Sequence, residues 1–157
     1  MEAQNSEQSA SLVMKYRRGN RVEVASKEEG FVGSYFGATI VTKLNGDEYI
    51  VTYHNLLKDD LSGPLREVVS VNEIRPEPPE IEVTSFNLGD EIDAFDNDGW
   101  WVGKISGRIG SHHYSVYFGY TGEEIVYPGD RLRVHQDFVK GKWISLQKRG
   151  NFLSKSK

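Results

Sequence analysis

Apolar and polar residues alternate with a period of two through most of this chain. The alternation is interrupted every few residues by Gly, Asn, Asp or Pro. Arg21–Ala25 places Val22 and Val24 on one face, Tyr35–Val41 is rich in aromatic and β-branched residues, and Tyr49–Tyr53 groups Tyr49, Val51 and Tyr53. A period of two with such residues predicts half-buried strands. Asn45-Gly46-Asp47 is a hairpin signal between the second and third runs. Val68–Val71 is a fourth run, and Ile74-Arg75-Pro76 closes the series, with Pro76 ending a strand. The scheme returns in Glu91–Phe95, Trp101–Ser106, Tyr114–Phe118 and Glu124–Tyr127. Its turns fall at Asn97-Asp98-Gly99, Arg108–His112, Gly119–Gly122 and Pro128-Gly129. No stretch predicts a long helix, and Leu132–Trp143 has room for one helical turn.

The return is a duplication. Gly19-Asn20-Arg21-Val22 corresponds to Gly89-Asp90-Glu91-Ile92, Tyr35-Phe36 to Trp100-Trp101, Tyr49–Tyr53 to Tyr114–Phe118, and Ile74-Arg75 to Leu132-Arg133. The offset falls from 70 residues to 65 and then 58, so the strands are kept while the connections vary. A period of this size denotes tandem structural units. Four or five short strands with tight turns in about 60 residues predict a small, strongly bent SH3-like barrel. A unit of that size buries only ~60% of its unfolded surface and is marginal alone, so the expectation is an all-β chain of two barrels packed side by side. The predicted boundaries are a disordered lead-in over 1–14, a first domain over 15–76, a Pro-rich connector over 77–84, a second domain over 85–143 and a basic tail over 144–157. Three of the five prolines (Pro76, Pro78, Pro79) stand at the connector, which predicts a stiff, extended segment. Such small barrels have little interior in which to build a catalytic cavity, and they point to recognition.

Cysteine is absent, which excludes disulfides and thiolate metal sites and favours a reducing compartment. No apolar run approaches the ~20 residues of a membrane span, and Met1–Leu12 lacks the apolar core of a signal peptide. The net charge of −4 is unevenly spread. Lys140, Lys142, Lys148, Arg149, Lys155 and Lys157 are basic with no acid among them, leaving 13 basic against 23 acidic residues, or −10, in residues 1–139. An acidic body attracts basic partners and opposes nucleic acid. No G-x-S-x-G, H-E-x-x-H, phosphate-binding or dinucleotide motif occurs. His54 and His135 are not at a ligating spacing, so neither metal nor cofactor is expected.

The aromatics carry the sharper expectation. Neighbours in a strand face opposite ways. Phase assigns Phe36 and Trp101 to the core and leaves Tyr35 and Trp100 on the rim beside turns. Phe118 ends the third strand of the second copy and Tyr120 follows, so Trp100, Phe118 and Tyr120 are the predicted walls of a cage. Phe31, Tyr35 and Tyr53 are the counterpart in the first copy. A methylated ammonium keeps its charge but loses N–H donors, and each aromatic face contributes ~0.5–2 kcal/mol to holding it. Acids surround these positions: Asp96 and Asp98 before Trp100, Glu123 and Glu124 after Tyr120, Glu28 and Glu29 before Tyr35, Asp59 and Asp60 after Tyr53. They suit the remaining N–H of a dimethylated lysine or neighbouring basic side chains, and each also reads as an ordinary solvated turn acid. His112 and His113 are candidates for a pH switch, their protonation repelling a cationic peptide below about pH 6.5.

Several segments together resemble the plant tandem Agenet domain, a Tudor-like branch of the Royal group. They are Gly30–Phe36, Pro64–Val69 with Ile74-Arg75-Pro76, Asp96–Gly103, Tyr114–Phe118, Glu123-Glu124-Ile125 and Leu132–Phe138, and the likeness covers roughly Tyr16 to Trp143. The resemblance implies two Tudor-like barrels, a nuclear location and a reader of methylated histone H3 tails. The mark it implies is dimethylated lysine nine, with a role in heterochromatin and DNA methylation control. By position it puts the cage on Trp100, Phe118 and Tyr120 and gives the first unit an acidic accessory surface. Three positions depart from the family pattern: Tyr35 and Val68 stand where Trp is usual, and His54-Asn55 replaces an acidic pair. Two other readings remain at this point. One is an adaptor indifferent to methylation, contacting other chromatin proteins. The other is a nucleic-acid-binding Tudor-like module resting on the basic tail.

Overall fold

The computed structural model describes residues 15–26 and 33–145. The lead-in, Glu28, Glu29, Phe31 and most of the basic tail lie outside the described residues. The chain forms two compact units. The first runs to Pro78 and also takes in Phe138–Trp143, and the second comprises Pro79–Asp137 with the residues from Ile144.

The first unit contains β1 (Arg21–Ala25), β2 (Ser34–Lys43), β3 (Glu48–Leu57), β4 (Pro64–Ser70), a 3-10 turn at Val71–Glu73, and β5 (Ile74–Pro76). All ladders are antiparallel, in the order β5-β1-β2-β3-β4. The second repeats this with β6 (Glu91–Asp96), β7 (Gly99–Ile109), β8 (His113–Phe118), β9 (Glu123–Pro128), a 3-10 turn at Gly129–Arg131, and β10 (Leu132–Val134). Its order is β10-β6-β7-β8-β9. Each is the small, bent SH3-like barrel that the alternation predicts. Strands extend past the apolar runs because ladder hydrogen bonds need no apolar side chain; β2, for example, continues through Thr42 and Lys43.

The helical turn expected within Leu132–Trp143 is not there. That stretch holds β10 and a hairpin of β11 (Asp137–Val139) and β12 (Lys142–Ile144), and the 3-10 turn precedes it. The reason is local: Lys140 and Gly141 both have positive φ, +50° and +78°, which suits a two-residue hairpin turn and not a helix.

The duplication extends to single hydrogen bonds. The Tyr16 and Phe86 amides donate to the Tyr49 and Tyr114 hydroxyls at 3.1 and 3.2 Å. The same ring pairs meet edge-on at 5.7 and 5.4 Å. Gly19 and Gly89, at φ +88° and +87°, donate to the Ile40 and Ile105 carbonyls, each at 2.8 Å. Only glycine takes that φ without strain. In both units the ladder between the second and third strands slips by one residue, after Ile40 and after Ile105. Such a bulge bends the strand and helps a small sheet curl. Inside, Val22, Val24, Ala38, Ile40, Tyr49 and Val51 fill the first barrel. Ile92, Ala94, Ile105, Tyr114, Val116 and Phe118 fill the second.

Candidate functional site

Each barrel carries a buried acid in its first strand. Glu23 pairs with Arg75, its cross-strand neighbour, through Nη2–Oε1 at 2.8 Å and Nε–Oε1 at 3.1 Å. Asp93 pairs with Arg133 through Nε–Oδ2 at 2.8 Å, in the equivalent register. Both guanidinium groups then lie on aromatic faces. Arg75 sits 3.5 Å from the Tyr35 ring centroid and 5.1 Å from that of Trp143, and Arg133 sits 4.1 Å from that of Trp100. Trp100 also packs edge-on against Phe95 at 5.1 Å. Buried charges persist when paired, and stacking adds cation–π attraction.

This bears on the two outward rings of the predicted cages. Tyr35 and Trp100 do face away from the core, as their phase requires, since Trp100 opposes Phe95 while Trp101 opposes Ala94. But each already holds a cation of its own barrel. Trp100 packs with Phe95 and Arg133.

The second barrel also builds an aromatic cluster around Phe118. Phe118 is buried, with Tyr120 and Tyr127 each 6.2 Å from its centroid. Trp101 packs against this core from the start of β7, and its indole N–H donates to the Asp96 carbonyl at 2.7 Å. The Tyr127 hydroxyl donates to Asp96 Oδ2 at 2.7 Å, and the Asn97 amide donates to Oδ1 at 2.9 Å. Asn97 and Asp98, at φ +46° and +65°, make the tight turn that aims Asp96 at this cluster. Gly103 lets the strands close here: a Cβ on it would lie 2.7 Å from Val116 Cγ1 and 3.1 Å from Phe118 Cδ1. Burial, then Asp96, raises the Tyr127 phenol pKa, so it stays a neutral donor. Burial and the Asp93 charge raise that of Tyr120. Tyr120 is nevertheless 47% exposed, which makes it the accessible wall.

Trp101 and Tyr127 belong to this site and were not singled out from the sequence. Both stand at core-facing phase, which by itself says only that they pack. Of the residues singled out from the sequence, Phe118 and Tyr120 are ring neighbours, and Asp96 joins Phe118 through Tyr127. Glu123 lies close enough for its charge to act on Tyr127, whereas Asp98 and Glu124 are exposed acids at the margin.

The first barrel fills the corresponding place differently. Tyr53 is buried, and its hydroxyl donates to Glu67 at 2.6 Å. Glu67 occupies the position of Ile125, Val69 that of Tyr127, and Asn55 that of Tyr120. His54 covers Gly37 and bonds Thr39 Oγ1 through Nε2 at 2.8 Å; burial and Arg21 lower its pKa. Tyr35 and Tyr53 are thus each engaged within the first barrel, and Phe31 lies outside the described residues. Asp59 is exposed in the turn before β4, and Asp60 accepts from the Ser62 amide at 2.9 Å.

The pH expectation also moves. His112 and His113 are exposed at the far end of β8 from Phe118. Five strand steps of ~3.3 Å separate His113 from Phe118, about twice the physiological Debye length. The histidine tied into the second barrel is His135. Its Nδ1 lies 2.7 Å from Asp93 and its Nε2 lies 2.9 Å from Asp137. Carboxylates only accept, so both ring nitrogens carry protons. Burial alone would lower the His135 pKa, but the hydrogen bonds and charges of Asp93 and Asp137 outweigh it and raise the pKa.

Comparison with known proteins fits this geometry. The Agenet domain family model matches residues 19–79, which span the first barrel. A crystal structure of AGD34 of Arabidopsis thaliana AGDP1 superposes with a TM-score of 0.81 at 36% identity, covering 90% of this chain and 96% of that one. This chain belongs to the Agenet domain family. A crystal structure of ADCP1 tandem Agenet domain 3-4 matches with a TM-score of 0.76 at 32% identity, covering 90% and 94%. Arabidopsis thaliana Protein AGENET DOMAIN (AGD)-CONTAINING P1 is 39% identical over 82% of this tandem Agenet chain. DUF724 domain-containing protein 6 from the same organism is 35% identical over 82%. The chain spans only 25% and 19% of the lengths of these two curated relatives.

Proposed function

We propose that this tandem Agenet chain reads a methylated lysine on a histone H3 tail in the nucleus, and that the second barrel holds the methyl-lysine. The observation that carries the reading is Tyr120. It is a half-exposed ring 6.2 Å from the buried Phe118, whose other ring neighbour, Tyr127, donates to a carboxylate that a second donor also holds. A methylated ammonium is desolvated at low cost against Trp101, Phe118 and Tyr120, while Asp96 supplies an acceptor. Aromatic faces at ~0.5–2 kcal/mol each leave part of the roughly −8 kcal/mol of a micromolar complex to the flanking peptide. Asp98, Glu123 and Glu124 suit basic neighbours of that lysine. Dimethylated lysine nine is the specific mark proposed, since one remaining N–H matches one well-placed acceptor.

The test is a calorimetric titration with H3-tail peptides that differ only in methylation of one lysine. Methyl-dependent binding that weakens about 10-fold in Tyr120→Ala is expected, within the range of one cation–π wall. Equal affinity for unmethylated and dimethylated peptide would favour a methylation-independent adaptor instead.

A further inference from the structure

We infer that Tyr127 is a positioning residue that sets which methylation state the second barrel prefers, by fixing the Asp96 carboxylate. The inference rests on the methyl-lysine reading above and adds to it a determinant of specificity. Tyr127 is 6% exposed, so its ring is part of the core and offers a ligand little surface. Its hydroxyl, however, reaches out of the core to Asp96 Oδ2 at 2.7 Å. The Asn97 amide takes the other oxygen at 2.9 Å, and the Trp101 indole ties the Asp96 carbonyl at 2.7 Å. Backbone and both carboxylate oxygens are thus tethered. The carboxylate cannot swing about χ1 and χ2 without breaking a short charge-assisted bond.

A pinned acceptor discriminates by the number of N–H groups on its guest. Dimethyl-lysine presents one N–H, which such an acceptor satisfies directly. Trimethyl-lysine presents none and forces a methyl group against a partly desolvated oxygen that cannot retreat. A mobile carboxylate would rotate into solvent and accept either. The hydroxyl of Tyr127 therefore acts on selectivity more than on total affinity. The first barrel has neither the tyrosine nor the carboxylate of the device, since Val69 stands where Tyr127 does and Ser26 where Asp96 does.

The experiment titrates wild type, Tyr127→Phe and Asp96→Asn with one H3-tail peptide in mono-, di- and trimethylated forms. Phe keeps the buried ring, and the ratio of two affinities measured on one sample is independent of the folded fraction. Wild type should favour dimethyl over trimethyl peptide, and Tyr127→Phe should reduce that ratio by about fivefold or more, the scale of one hydrogen bond to a charged group. Asp96→Asn should lose the preference as well. A Tyr127→Phe protein with the wild-type ratio overturns the inference, even where Tyr120→Ala still abolishes binding and the cage stands. Wild-type binding indifferent to methylation overturns the cage itself.

Discussion

At the end of its third strand the first barrel has Tyr53, followed by His54 and Asn55. The second has Phe118, followed by Gly119 and Tyr120. The backbones around these residues carry the same ladders and the same bulge. What differs is how the aromatic interior ends. In the first barrel the buried Tyr53 donates to Glu67, an exposed acid on β4, at 2.6 Å. In the second, Phe118 has no hydroxyl to spend, Ile125 takes the position of Glu67, and the nearby carboxylate comes from the turn as Asp96. One copy ends in a tyrosine bonded to an exposed acid, the other in a half-exposed tyrosine beside a buried phenylalanine. The acid–arginine–aromatic stacks are shared by both copies, and the unequal parts are where the proposed reading site lies.

The largest effect should come from the scaffold. Asp93→Ala leaves both Arg133 and His135 without their buried partner, and Glu23→Ala strands Arg75 alone. Removing one member of a buried pair costs about 3–5 kcal/mol. Urea unfolding should place Asp93→Ala at or beyond the upper end and Glu23→Ala below it. Equal losses would mean that His135 contributes nothing to the second network.

Binding should separate the barrels next. Tyr120→Ala should weaken a dimethylated H3 peptide by about 10-fold, while Asn55→Ala at the matching place should leave affinity unchanged. A calorimetric titration of both variants checks this, and a loss in Asn55→Ala would restore the first barrel as a reading site.

A pH series sharpens the contrast further, because the first barrel has Glu77 where the second has His135. The His135 pKa is raised in the folded state. Its protonation therefore stabilises the fold. That contribution is full below its unfolded value of about 6.5 and is lost as pH rises through the folded value. The stability gap between wild type and His135→Gln should shrink from pH 6 to pH 9. A gap that widens over that range would reverse the assignment. The smallest effect belongs to Trp100→Ala, which uncovers Arg133 and should lower stability by about 0.5–2 kcal/mol without changing preference among methylation states.

Much of the architecture was legible in the sequence, because alternation fixes which face of a strand is buried and two copies of the pattern check each other. Phe36 and Trp101 were assigned correctly to the core side on that ground. The candidate site was only half legible. Phase separated Trp100 from Trp101, but it could not show that the outward ring was already covered by Arg133, an arginine 33 residues further on. A signal was available in the matching pairs Glu23 with Arg75 and Asp93 with Arg133: an acid and an arginine at equal places in both copies suggest a shared internal ion pair. Tyr127 was hidden for a different reason. Its ring obeys the core pattern, and only the placement of its hydroxyl gives it a second role. The hairpin at Phe138–Trp143 was misread because its apolar residues fit one helical turn equally well, and the positive φ of Lys140 is not visible from residue type.

The most direct test uses the three tryptophans of the chain, each with its own indole N–H resonance. Titration with a dimethyl-lysine H3 peptide, followed by nitrogen–proton NMR with assignments from single Trp→Phe variants, reports which ring meets the ligand. The Trp101 indole, bonded to Asp96 at the cluster, should shift in step with binding while Trp100 and Trp143 remain in place. A shift of Trp100 with Trp101 unmoved would contradict the account and return the cage to the outer face of the barrel.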